Sequence, residues 1–158
     1  MAALFRPSLA ASSLLWWAVT GLYLLLVGLI VFWPQHVDAG QSGQTLARLL
    51  AQAHAAGYLP GWFGYGQVEW LSNLLMFIPG GFFFTYLLLP TYRWLVPLGG
   101  LAATCLIESV QHFMPGRTSS ALDLLANSLG CVIGWVFALI LLRIREKPKT
   151  KPDIRPSF

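Results

Sequence analysis

The chain has 158 residues, of which 56% are hydrophobic and 10% charged, whereas soluble domains carry roughly a quarter charged residues. Length admits one domain, and the deficit of charge excludes an ordinary water-soluble fold, leaving lipid as the main solvent. The net charge of +4 is concentrated from Arg143 onward, beside the last apolar run, which marks a membrane orientation rather than a nucleic-acid partner.

Four apolar runs match the ~20 residues that a helix needs to cross the hydrocarbon core: Ser13 to Trp33, Val68 to Leu89, Trp94 to Phe113 and Ala121 to Leu142. The first follows Arg6 but is too long for the apolar core of a signal peptide and lacks a small-x-small cleavage site, so it reads as a retained helix. A long connection from Pro34 to Gln67 comes next. Within it Leu46, Leu49, Leu50 and Ala53 recur at i, i+3, i+4 and i+7, the spacing of a short amphipathic helix lying on a membrane surface or on the bundle. The Gly- and aromatic-rich stretch Gly57 to Gly66 then suits an interfacial loop. The second run contains Pro79, Gly80 and Gly81, a break that a membrane helix tolerates with a kink when neighbours satisfy the freed backbone groups.

These runs give an all-α fold: a four-helix transmembrane bundle over residues 1–143, followed by a basic tail, 144–158, whose charges and prolines imply disorder. With the tail inside, Arg6, Arg93, Arg143, Arg145, Lys147, Lys149, Lys151 and Arg155 fall on the cytoplasmic side. Only Arg48 and Arg117 fall outside, so both termini are expected in the cytoplasm. Trp16, Trp17, Trp33, Trp70 and Trp94 lie near helix ends, where an aromatic belt belongs. Gly130 and Gly134 form a G-x-x-x-G step that lets another helix approach closely, and the short connection from Met114 to Ser120 predicts a hairpin of the third and fourth spans.

Polar side chains are costly in a membrane, so their positions carry information. Asn73 on the second span, Glu108 and Gln111 on the third, and Asp123 and Asn127 on the fourth all fall within roughly 10 Å of the outer interface at 1.5 Å per residue. Arg117, between the third and fourth spans, is placed to supply a counter-charge. Asn, Gln and Ser also serve as interhelical glue, which is the simpler role for Asn73 and Asn127 taken alone and for Thr104, Ser109 and Ser128. Two carboxylates are poor glue, and Glu108 with Asp123 points to a site. His112 follows Glu108 by four residues, yet without H-E-x-x-H or a second nearby histidine it does not make a metal centre. Cys105 and Cys131 lie in apolar stretches and form no disulfide or zinc pattern. No metal and no cofactor is expected.

Two stretches resemble the VanZ-like family of bacterial membrane proteins. Asn73-Leu74-Leu75-Met76-Phe77-Ile78-Pro79-Gly80-Gly81 is similar to the family's N-x-x-x-F-x-P-x-G pattern. Ile107-Glu108 through Gln111, Arg117, Asp123 and Asn127 to Gly130 and Gly134 resembles its I-E-x-x-Q, Arg, D-x-x-x-N-x-x-G-x-x-x-G signature. The family is named after a protein associated with resistance to the glycopeptide teicoplanin, and the resemblance implies a cell-envelope role in the bacterial inner membrane without specifying a reaction. Three functions stay open. In the first, Asn73, Glu108, Gln111, Arg117, Asp123 and Asn127 bind an envelope component at the outer leaflet: a lipid headgroup, a lipid-linked cell-wall precursor or an envelope protein. In the second, Glu108 and Asp123 act as acid and base of a membrane-embedded hydrolase or transferase. The third is a structural subunit of an envelope complex.

Overall fold

The structure, a computed structural model, describes residues 11–32, 41–114 and 120–145. Among these residues it is all-helical, without strands: α1 Ala11–Val31, α2 Gln41–Ala55, α3 Tyr65–Leu87, α4 Leu95–His112 and α5 Ala121–Arg145, with a 3-10 turn at Pro90–Tyr92 before α4. Three helices are long and apolar enough to cross a membrane: α1 over Leu14–Val31, α3 and α5. The expected third span, α4, falls short of that apolarity. Its 18 residues include Glu108, Gln111 and His112. The expected tail is cut back, since α5 continues through Arg143 to Arg145; residues 146–158 and the aromatic-belt Trp33 lie outside the described residues.

Exposure is inverted relative to a soluble protein. Leu14, Leu22 and Leu25 on α1, Leu98 and Leu106 on α4, and Ile133, Phe137 and Ile140 on α5 are exposed, while Thr20, Thr85, Thr104 and Asn127 are buried. Water would penalise so much contiguous apolar surface; acyl chains do not. Hydroxyls inside the helices satisfy themselves locally: Thr20 donates to the Trp16 carbonyl at 2.7 Å, Thr85 to Gly81 at 2.6 Å and Ser109 to Cys105 at 2.7 Å, each four residues back.

α3 is the axis of the assembly, touched by the other four helices. It lies closest to α5, and the two run parallel. A Cβ on Gly130 would overlap the Leu74 carbonyl oxygen and crowd the Phe77 Cβ, and one on Gly134 would overlap the Ile78 carbonyl oxygen and crowd the Phe82 nitrogen. Four residues along one helix thus match four along the other, in the same direction. Gly81 of α3 returns the fit against the Cys131 carbonyl. The G-x-x-x-G step therefore faces a helix, as the spacing predicts, and that helix is α3. The expected α4–α5 hairpin also forms, antiparallel. Asn127 meets Thr104, Cys131 meets Gly100, and the Trp135 indole N–H donates to the Arg93 carbonyl at 2.8 Å.

α1 runs antiparallel to α3 along an aromatic seam. Trp16 packs on Tyr86 with ring centroids 4.5 Å apart and on Phe83 at 5.9 Å, and Tyr23 meets Phe83 edge-on at 5.7 Å. The helix α3 continues through Pro79. Beside that proline the Tyr23 hydroxyl donates to the Met76 carbonyl at 3.0 Å, an acceptor one residue beyond the one Pro79 leaves unmatched. A Cβ on Gly80 would sit 2.7 Å from that hydroxyl, so the glycine makes room for the tyrosine.

The amphipathic spacing around Leu46 corresponds to α2. Leu46, Leu50 and Ala53 are half-buried, whereas Leu49 is exposed with Arg48 and Gln52. The helix closes in a Schellman motif: Tyr58 N–H bonds the Ala53 carbonyl at 2.9 Å and Gly57 N–H that of His54 at 3.0 Å. Gly57 takes φ 75, the left-handed conformation this cap requires. In the following loop Tyr58 and Trp62 are exposed.

Candidate functional site

Of the six residues the sequence singles out, Asn73, Glu108, Gln111, Asp123 and Asn127 lie in described helices; Arg117 lies outside the described residues. The C-terminal ends of α1 and α4 and the N-terminal ends of α3 and α5 meet at one end of the assembly, and that end is built around the start of α5. Ser120 is its N-cap: the hydroxyl accepts from Leu122 N–H at 3.2 Å, and the carbonyl accepts from Asp123 and Leu124 N–H at 3.1 and 3.2 Å. A side-chain oxygen at this position satisfies one of the amides that a helix start leaves open.

Both carboxylates attach to this helix start, where the aligned peptide dipoles favour negative charge. Glu108 is only 8% exposed, and its Oε2 accepts the Ser120 N–H at 3.0 Å. Asp123 stands in the first turn of α5 itself, and its Oδ1 accepts the Asn73 Nδ2 at 2.8 Å. Ser120 therefore joins the two acids: its N–H binds Glu108 and its carbonyl binds the amide of Asp123. Three elements converge here, α3 through Asn73, α4 through Glu108 and α5 through Ser120 and Asp123.

Gln111 and Asn127 belong to other contacts. The Gln111 Nε2 donates to the Val31 carbonyl at 3.0 Å, closing an orphan acceptor at the end of α1 and tying that helix to α4. Asn127 lies one turn further into the assembly, about 6 Å along the α5 axis from Asp123. Its Nδ2 donates to the Thr104 hydroxyl oxygen at 3.0 Å, and the residue is 4% exposed. Thr104 in turn lies one turn below Glu108 on α4. The polar region thus has two levels, an outer one of carboxylates and an inner one of Asn127 and Thr104. At the inner level the Asn127 Oδ1 is buried without a hydrogen-bond partner among the described residues, which costs about 1–3 kcal/mol relative to a satisfied acceptor.

Sequence reasoning missed Ser120, the residue that connects the two acids. Its signal was present: Ser120-Ala121-Leu122-Asp123 before an apolar run is an S-x-x-D helix-start pattern. The Val31 carbonyl was not legible, because a backbone acceptor leaves no trace in residue identity. His112 is exposed, with its ring edge-on to Phe113 at 5.4 Å. Among the described residues no three His, Cys, Asp or Glu side chains gather as a metal ion would need.

An apolar exterior, threonines and an asparagine held inside, and acids gathered at one end define a small helical membrane protein with a polar terminus to its helix assembly. The chain belongs to the VanZ/LLP1 family, whose model matches residues 20–142. That match extends the motif resemblance of α3 to α5 over α2 and most of α1. No curated protein and no solved structure matches the chain.

Proposed function

We propose that this chain is a four-crossing protein of the bacterial inner membrane, termini in the cytoplasm, that binds a cell-envelope component at its polar end in the extracytoplasmic leaflet. Four crossings are supported by α4, which pairs antiparallel with α5 and presents Leu98, Leu101, Leu106 and Val110 outward. The orientation is supported by the distribution of Lys and Arg. In it α2 and the exposed Tyr58 and Trp62 rest at the outer interface, where aromatic rings are favoured. A reporter fused after Arg155 is then cytoplasmic, and a cysteine at Gln41 labels from outside intact cells; labelling only after permeabilisation reverses the orientation.

The observation that carries the binding reading is the convergence of Asn73, Glu108 and Asp123, from three helices, on the start of α5. Arg117 joins this site as the cation for a phosphate or carboxylate, which arginine grips with paired hydrogen bonds. Candidate ligands are a lipid headgroup, a lipid-linked cell-wall precursor or an envelope protein, entering sideways from the bilayer. The Arg117→Ala variant tests this: it should abolish any envelope phenotype while the protein stays inserted at its normal level. Loss of the protein itself would instead make the cluster a folding element and favour a structural subunit.

A further inference from the structure

We propose that His54 is a proton-operated latch: as an imidazolium it ties the end of α2 to the loop that carries Tyr58 and Trp62, and on losing its proton it lets that loop go. The device is independent of any ligand at the polar end.

The partners of the ring carry the argument. His54 lies half-buried in the last turn of α2. Its Nδ1 is 2.8 Å from the Leu50 carbonyl oxygen, one turn back, and its Nε2 is 3.2 Å from the Pro60 carbonyl oxygen in the loop. A carbonyl oxygen only accepts, and a neutral imidazole has a single N–H. The neutral ring can therefore make one of these bonds, and at the other a nitrogen lone pair meets an oxygen lone pair. The imidazolium, with two N–H groups, makes both. The opposite ring orientation would set C–H groups against both oxygens, so the same two contacts fix the assignment of the nitrogens. The C-terminal turn of a helix also favours a cation. Of the two contacts, the one to Pro60 is the longer and the only one that leaves α2, so the remaining proton stays on Nδ1 and the loop is what is freed. The Pro60 carbonyl also accepts the Phe63 N–H at 3.0 Å. The latch thus holds the turn that presents the exposed Trp62 and leads into α3 at Tyr65. The charged and titratable side chains on the elements around the ring are Arg48 of α2, Tyr58 of the loop, and Tyr65 and Glu69 at the start of α3, the helix packed on α2. None of them is a hydrogen-bond partner of the imidazole, whose nitrogens both face backbone oxygens. The latched state holds one proton more than the released state, so acid favours it and it is lost as the pH rises through the range in which histidine titrates.

Amide hydrogen exchange over residues 57–64 reads the state of the loop. The full chain, purified in detergent, is compared at about pH 5 and about pH 8, which bracket the change of charge of a histidine, with the intrinsic pH dependence of exchange divided out. Protection should fall by about tenfold from the lower to the higher pH, as loss of one charge-assisted hydrogen bond gives. In His54→Phe it should be low at both. Protection in the unaltered chain that does not change with pH, or that rises with it, overturns the inference without needing any variant. So does a fall that survives in His54→Phe, which would place the titrating group elsewhere. Should that variant fail to fold, ring-nitrogen NMR of the unaltered chain decides the matter. The loss of loop protection must share its midpoint with the loss of the second His54 ring proton, and separate midpoints overturn the latch. Binding at the polar end stands or falls on Arg117→Ala, through other residues.

Discussion

The contact between α3 and α5 is made in two different ways along its length. At one end it is polar and open: Asn73 and Asp123 meet through a single half-buried hydrogen bond, with Glu108 of α4 joined through the Ser120 cap. Two to three turns further on it is apolar and closed, with Gly130, Gly134 and Gly81 allowing each backbone to lie against the other. The closed part needs no side-chain specificity, only the absence of a Cβ, and it is where dispersion between close-packed backbones accumulates. The open part contributes little cohesion and places the only described carboxylates of α4 and α5. Holding the helices together and presenting chemistry are therefore tasks of different segments of one contact.

Substitutions should separate the two. The largest effect is expected for Gly134→Ile, whose side chain would meet the Ile78 carbonyl and Phe82 nitrogen, backbone atoms that cannot move aside. A loss of about 3 kcal/mol or more is expected, read as lower protein level and an earlier unfolding midpoint in a denaturing-detergent titration. A near-normal midpoint would mean that the closed part does not hold the assembly together. Glu108→Ala should cost less, about 1.5–3 kcal/mol, for the loss of a charge-assisted bond to the α5 cap. Ser120→Ala should cost roughly 1 kcal/mol by removing the hydroxyl cap on Leu122 N–H. It keeps the backbone N–H that binds Glu108, so any departure from additivity in the double variant measures coupling through the α5 start rather than a shared bond. Tyr23→Phe removes only the bond to Met76 and should cost about 1 kcal/mol while leaving the Phe83 contact in place. The smallest effect is the coupling between Asn73 and Asp123: a double-mutant cycle with Asn73→Ala and Asp123→Ala should give about 0.6 kcal/mol. A coupling several times larger would move the open end into the same class as the closed one.

Much of this architecture is legible in residue order. The three most apolar runs, the amphipathic spacing that became α2 and the G-x-x-x-G step each follow from a period or a length that the chain repeats often enough to register. The helix that the glycines face is less legible. Gly130 and Gly134 announce a close approach but say nothing of the partner, and sequence proximity suggests α4 where the structure places α3. The polar end was found because Asn, Glu and Asp are expensive in lipid and so conspicuous there. Its wiring was not, since Gln111 and Glu108 bind backbone groups of Val31 and Ser120, and any residue type provides those. α4 marks the limit of composition as a guide: the same Glu108, Gln111 and His112 that reveal the polar end also weaken the apolar signal of the helix carrying them.

The parallel course of α3 and α5 also has a bearing on how the chain is made. Ile78 and Gly134 must lie against each other, yet more than fifty residues separate them, and the α4 limb has to be laid down in between. At about 5–20 residues per second, roughly 3–10 s pass between the appearance of one face and that of its mate. Through that interval Asn73 has no aspartate to receive its amide, and the groove beside Gly81 lies open to whatever apolar surface is near. The α3 face is thus synthesised before its mate, and the close fit of Gly130 and Gly134 against it can form only once α5 has been made.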